Sequence, residues 1–322
     1  MKQSRYDLIA VGEVLVDLLS DQMVSSLDQA ERFRRFLGGQ VANTAWNVNL
    51  LGGRAAVVGC VGADGFGRFL RRELVRVGVG TRHLHEIPGV LTTLSVIVRH
   101  TATPDFLIYR GADALLSPPQ IPVQTIGQAR ALHTSAFGLS QEPARSAILH
   151  ALRVAREAGC LVSLDPNYHP TIWDKTVPAP EVLRQACRYV DLVKPSLDDC
   201  RRLFGPQADP DACVSRFLEW GASVVVLTMG KGGALLALAS GERFNTPPHD
   251  VAVADVTGAG DAFWAGLLLA LLDGLPPRRA ADVGQFVAER KLEVFGPMQA
   301  RLDRKEIYQT LWEDDADATP RL

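Results

Sequence analysis

The chain has 322 residues, 47% of them hydrophobic, enough to bury a large core in one α/β domain or two smaller ones. With 34 basic and 36 acidic residues the formal charge is −2, so no electrostatic excess points to nucleic acid or to an anionic membrane, and the expected partner is a small molecule. Five cysteines (Cys60, Cys160, Cys187, Cys200, Cys213) form no C-x-x-C pair and no cluster with histidine, which argues against zinc and a disulfide framework and fits free thiols in the cytoplasm.

Residues 1–5 are polar and run straight into a strand-like stretch at 6–12, leaving no room for a signal peptide. Apolar runs rich in β-branched residues follow at 55–61, 131–135, 160–165, 190–194 and 223–228. They alternate with helical patterns near 41–51, 65–78, 143–158, 179–188 and 209–220. This alternation predicts an α/β fold with a mostly parallel sheet covered on both faces. The rhythm breaks between about 79 and 111, where 91–99 and 105–110 read as strands with no helix between them; 14–19 and 32–37 are similarly β-like. A small sheet built from approximately 13–20, 31–38 and 90–111 is therefore expected to project from the body. Such a sheet can close over an active site as a lid, and its exposed face can pair two copies into a homodimer. The longest apolar stretch, 262–272, is about half of a membrane span and reads as a buried helix. The acidic tail from Glu313 is expected to fray.

Four segments carry chemistry. Asp255-Val256-Thr257-Gly258-Ala259-Gly260-Asp261 leads into that apolar helix, and the N–H groups of Gly258, Ala259 and Gly260 at its start form an expected anion pocket. Asp261 beside it is either a base that takes a hydroxyl proton or simply the helix cap. Thr228-Met229-Gly230-Lys231-Gly232-Gly233 follows a strand, as a close approach to nucleotide phosphates or as a hairpin turn. No Walker A loop or Rossmann fingerprint occurs. Gly38-Gly39-Gln40-Val41-Ala42-Asn43 opens a helix on which Asn43 and Asn47 share a face, either for sugar hydroxyls or for loop backbone. Asp165-Pro166-Asn167 ends a strand, as a site near phosphate or Mg²⁺ or as a plain turn.

Together these segments resemble the ribokinase-type, or phosphofructokinase B, family of sugar kinases. The likeness rests on two signatures in the right order: Gly38-Gly39-x-x-Ala42-Asn43-x-Ala45, and Asp255-x-Thr257-Gly258-Ala259-Gly260-Asp261-x-Phe263-x-x-Gly266. It implies a Rossmann-like three-layer body with a β-sheet lid, and ATP- and Mg²⁺-dependent phosphoryl transfer to a sugar. By position, Asp17, Gly38, Gly39 and Asn43 would bind the sugar, Gly258 to Gly260 would form the anion hole, and Asp261 would be the base. Lys194, Thr228, Gly230, Gly232 and Asn167 would lie along the nucleotide, and Asp255 would help hold a monovalent cation such as K⁺.

The chain departs from the pattern at three places. His169 stands where the family's D-x-N-x-R motif has arginine, Ser196-Leu197-Asp198-Asp199 replaces N-x-x-E, making Asp199 the stand-in for Mg²⁺ held through water, and Glu289, Arg290 and Lys291 occupy a stretch where relatives are usually small. For the acceptor, Phe106-Leu107-Ile108-Tyr109-Arg110-Gly111-Ala112-Asp113 looks like the lid of fructokinases and, more loosely, of 2-keto-3-deoxygluconate kinases, with Arg110 as a sugar ligand or an edge-strand charge. The anionic Asp17 and Asp113 favour an uncharged sugar, hence fructose. The alternatives are 2-keto-3-deoxygluconate as acceptor, a nucleoside acceptor, or a non-catalytic sugar-binding relative.

Overall fold

The computed structural model describes residues 6–99, 105–174 and 176–312. The expectations for 1–5 and for the tail from Glu313 lie outside these residues. Thirteen strands and eleven α-helices follow in chain order among them. The first half contains β1 (Tyr6–Val11), β2 (Leu15–Met23), β3 (Phe33–Gly38), α1 (Gln40–Leu50), β4 (Ala55–Gly62), α2 (Gly65–Arg76), β5 (Gly80–Ile87), β6 (Leu94–Arg99), β7 (Phe106–Tyr109), α3 (Val123–Ile126), β8 (Ala129–Ser135), α4 (Ala136–Leu139) and α5 (Ala144–Glu157). The second half contains β9 (Leu161–Asp165), α6 (Ala179–Cys187), β10 (Leu192–Val193), α7 (Leu197–Phe204), α8 (Pro210–Glu219), β11 (Val224–Thr228), β12 (Ala234–Leu238), β13 (Arg243–Thr246), α9 (Ala259–Leu272), α10 (Pro277–Leu292) and α11 (Arg304–Trp312).

Nine strands make one sheet in the order β13-β12-β11-β10-β9-β8-β1-β4-β5. All pairs are parallel except β11–β12 and β12–β13. Successive side chains of a strand face opposite ways, and β1 shows the result: Leu8 and Ala10 enter the core under α1, α9 and α10, while Ile9 and Val11 enter the core under α5, α6 and α8. Two cores on two faces give three layers. Helix α9 is apolar on all sides because it is covered by the sheet, by α1 and by α10. No described helix is long and apolar enough to cross a membrane. All five cysteines are buried and unpaired.

The chain winds from β1 through β4 to β5 in one direction and through β8, β9 and β10 in the other. The crevice outside the carboxyl ends of strands at such a reversal is where open α/β sheets hold ligands. A second, smaller sheet, β3-β2-β6-β7, stands at that end. Two details differ from expectation. β5, inside the stretch where the rhythm breaks, pairs with β4 at the edge of the large sheet, and the expected strand at 190–194 narrows to Leu192–Val193.

Candidate active site

A cavity of about 410 Å³ lies between the carboxyl ends of β1, β8, β9 and β10 and the inner face of the small sheet. Asp17, Gly39, Asn43, Asn167, Lys194, Asp199, Thr228, Gly258, Gly260 and Asp261 all line it, although they are spread over most of the sequence.

Helix α9 begins at this cavity. Gly258, its N-cap, has φ 79°, a left-handed conformation that costs glycine nothing, and no side chain caps the helix. The expected N–H cradle is narrower than the sequence implied: Ala259 N–H closes a turn on the Val256 carbonyl at 3.2 Å, leaving Gly258 and Gly260 as the donors that face the cavity. Asp261 does not cap its own helix. It is 9% exposed, and its Oδ2 accepts from Asn43 Nδ2 at 2.9 Å. Burial, with Asp165 nearby, pushes its carboxyl up to about 7 despite that bond and despite Lys194.

On the small-sheet side of the cavity, Asp17 projects from β2 and is pushed up to about 7 by burial and by the charges of Asp261 and Asp255. Gly38 on β3 makes room for it, since a Cβ there would stand 2.2 Å from Asp17 Oδ2. Gly39, with φ 95°, turns the chain into α1 against the Glu13 carbonyl, which a Cβ would meet at 2.4 Å. Sequence reasoning passed over Glu13. Its buried carboxylate accepts from the Gln40 N–H at 3.1 Å and from Ser135 Oγ at 2.7 and 2.8 Å, so it ties β1 and β8 to the start of α1. Arg110 is the expected sugar ligand that the structure does not bring to the cavity. Its guanidinium pairs with Asp113 at 2.7 Å, donates to Ser140 Oγ at 2.8 Å and lies 4.2 Å over the Phe137 ring, whose side chain does line the cavity. The carboxylate three residues away, Asp113, faces its charge instead.

On the opposite wall Lys194 Nζ meets Asp165 Oδ2 at 2.8 Å, with both side chains about 95% buried. The same ammonium lies 3.3 Å from where a Cβ on Gly260 would stand, so it reaches the start of α9. Burial works against the charged lysine, yet the Asp165, Asp199 and Asp261 carboxylates hold its pKa above the ordinary value. Asp165 is held in turn by a buried chain of hydrogen bonds. Trp264 Nε1, which can only donate, gives its hydrogen to His133 Nδ1 at 3.1 Å; the His133 proton therefore sits on Nε2 and goes to Gln40 Oε1 at 2.8 Å, and Gln40 Nε2 donates to Asp165 Oδ2 at 3.2 Å. Burial keeps His133 neutral, pushing it down to about 3.

Asn167, at φ 33°, donates its N–H to Asp165 Oδ1. Asp199 is the third residue of α7 and completes a capping box with Ser196; its oxygens accept from Ser196 N, Ser196 Oγ and Tyr168 N at 2.6–2.8 Å. These bonds make Asp199 a helix cap first and leave little of it for an ion. Thr228 lines the cavity, but Gly230 and Gly232 do not: residues 229–233 form the turn of the β11–β12 hairpin, closed by Met229 N–H to Gly233 O at 2.8 Å. His169 packs edge-on against Phe106, and the guanidinium of Arg202 on α7 lines the same wall, a cation that no spacing in the sequence pointed to.

Asp255 lies behind Gly258, away from the cavity. Its carboxylate accepts from the Thr257 and Gly296 N–H groups, each at 3.0 Å, and faces Lys291 Nζ at 3.6 Å. The place expected to take a monovalent cation thus holds a lysine ammonium.

Residues 6–303 match the pfkB family carbohydrate kinases. The chain belongs to that family. It is 32% identical to the ATP-dependent 6-phosphofructokinase of Thermoanaerobacterium thermosaccharolyticum over 91% of this chain and 89% of that one. The fructokinase of Halothermothrix orenii superimposes with a TM-score of 0.78 at 35% identity, covering 88% of this chain and 98% of its own. A fructokinase double mutant from Vibrio cholerae, solved with fructose, ADP and potassium ion bound, superimposes with a TM-score of 0.82 at 27% identity over 96% of this chain and 99% of its own. This pfkB-family protein is a sugar kinase, a phosphotransferase whose acceptor is a sugar hydroxyl.

Proposed function

We propose that this kinase transfers the γ-phosphoryl group of ATP to fructose, with Asp261 as the base that takes the hydroxyl proton. One observation carries the choice of acceptor. Among the described residues, the small sheet contributes Leu15, Asp17, Ser95, Ile97, Phe106 and Ile108 to the cavity and no basic side chain. That surface suits a neutral polyol, whereas a sugar phosphate or a sugar acid calls for a cation to face its charge. Asp17 and Asn43 would hold the sugar hydroxyls. Lys194 and the Gly258 and Gly260 N–H groups would receive the transferring phosphoryl group, where fixed positive dipoles act most strongly. Thr228, Asn167 and Lys194 support placing ATP along the β9–β11 wall.

On that wall the Asp165 carboxylate and the Asn167 side chain would face Mg²⁺ through water, with Asp199, bonded to Ser196 and Tyr168, contributing less. The ion supplies charge neutralisation on the ATP phosphates when bound. Strand β7 supports the reading of the small sheet as a lid that pairs two copies: Phe106 and Ile108 face the cavity, while the alternate Leu107 and Tyr109 are 53% and 60% exposed. Sedimentation equilibrium should return a dimer mass, lowered to a monomer by Leu107→Glu; a monomeric wild type ends that reading.

An ADP-release assay over fructose, fructose 6-phosphate, 2-keto-3-deoxygluconate and adenosine tests the acceptor. Fructose should give a kcat/KM at least about tenfold above the others, the factor that one well-made polar contact supplies. Preference for fructose 6-phosphate by the same factor would reject the neutral-polyol reading.

A further inference from the structure

Lys291, in the last turn of α10, is 2% exposed. A buried ammonium persists only where oxygen acceptors replace its water. Here it has three: it donates to the Asp255 carbonyl at 3.2 Å and to the Val294 carbonyl at 3.3 Å, and Asp255 Oδ2 lies at 3.6 Å. Two backbone carbonyls and one carboxylate, converging from two loops, make the donor set of a hard monovalent cation, and the position is already filled from within the chain. The two loops are joined by the same carboxylate, which accepts from Gly296 N and Thr257 N. The lysine stem passes Gly258, where an added Cβ would stand 3.8 Å from Lys291 Cε. The ammonium therefore braces the turn that presents the Gly258 and Gly260 N–H groups to the cavity.

We propose that the Lys291 ammonium is a tethered monovalent cation that holds the anion-hole turn in place, so that this protein neither needs nor binds potassium at Asp255. Its bearing on catalysis rests on the kinase reading above; its bearing on the turn does not. Lys291 is a positioning residue: it acts through Asp255 and the backbone of 256–258 and does not line the cavity that holds Asp261. The donors do not fit an added ion, because potassium would have to occupy the space of the ammonium and share its three oxygens.

The test compares potassium chloride with tetramethylammonium chloride at equal ionic strength, reading both the thermal midpoint and the rate. Wild type should change by less than about twofold in rate and show no potassium-dependent rise in midpoint, since a ligand that does not bind cannot stabilise. Lys291→Ala, which empties the position and leaves its oxygens, should lose at least about tenfold in kcat in tetramethylammonium and recover in potassium, with a midpoint that rises with the logarithm of potassium concentration. Lys291→Met, which fills the space without charge, should not recover. Potassium activation of wild type, or a folded Lys291→Ala indifferent to potassium, would overturn the proposal. If the alanine variant does not fold, the wild-type comparison decides alone. The midpoint requires no turnover, so a failed sugar panel and a failed cation proposal give different results.

Discussion

Asp261→Asn should lower kcat by about 10³- to 10⁴-fold while fructose binding, measured by calorimetry, stays within a few-fold, because positioned general-base catalysis contributes about 10²–10⁴ and the amide keeps the shape of the side chain. The carboxylate lies at the mouth of α9, beside the Gly258 and Gly260 donors and within 2.9 Å of Asn43 Nδ2, where a bound hydroxyl would meet base and anion hole together. Its pKa of about 7, raised by burial and by Asp165, places the acidic limb of the rate profile near neutrality. That limb should vanish with the residual rate of the variant. The sign of the stability effect follows from the same shift. The folded carboxyl binds a proton that the unfolded chain, titrating near 3.8, has lost, so its contribution to stability falls as pH rises through about 7. Asp261→Asn should therefore raise the thermal midpoint at pH 8 more than at pH 5.5. Turnover near the wild-type rate would sink the base assignment.

Lys194→Met should cost about 10²- to 10³-fold in kcat, the range for removing one preorganised donor from an anion hole. It should also destabilise the fold by about 3–5 kcal/mol, because Asp165 is left buried without its counter-charge. The two effects separate in a double variant. Adding Asp165→Asn removes the stranded charge and should restore much of the thermal midpoint, while the ammonium beside Gly260 is still missing and the rate stays low. Recovery of both together would mean that Lys194 serves only to hold Asp165.

The two signatures around Asn43 and Asp261 were legible because each is a local device: a glycine turn, a helix start and a polar side chain within a few residues. The layered sheet was legible for the same reason, since β-branched runs such as 223–228 declare themselves over short spans. For Arg110 the sequence leaves open a sugar ligand or an edge-strand charge, and the structure gives its guanidinium a third role, pairing with Asp113 three residues away. Gly230 and Gly232 bend a hairpin, which glycine does as readily as it approaches a phosphate. Glu13 and Arg202 escaped, and Lys291 stood out only as a bulky charge, because their significance is made by distant segments: Glu13 bonds to Ser135, and Lys291 folds back on Asp255. No periodicity encodes such meetings; topology does.

The chain from Trp264 to Asp165 makes the orientation of one side-chain amide depend on a tryptophan inside the core. Take away the indole with Trp264→Phe, and His133 is free to carry its proton on Nδ1 and donate it to Ser163 Oγ, which lies 2.8 Å away. The bare Nε2 then needs a donor, and Gln40 can supply one only by rotating its amide half a turn, which points a carbonyl oxygen at the Asp165 carboxylate. An aromatic exchange that leaves the core almost as well filled would in this way set two oxygens against each other at the catalytic wall. Nitrogen-15 histidine spectra should show the tautomer change and kcat should fall with fructose affinity kept; an unchanged tautomer would show that the indole does not set it.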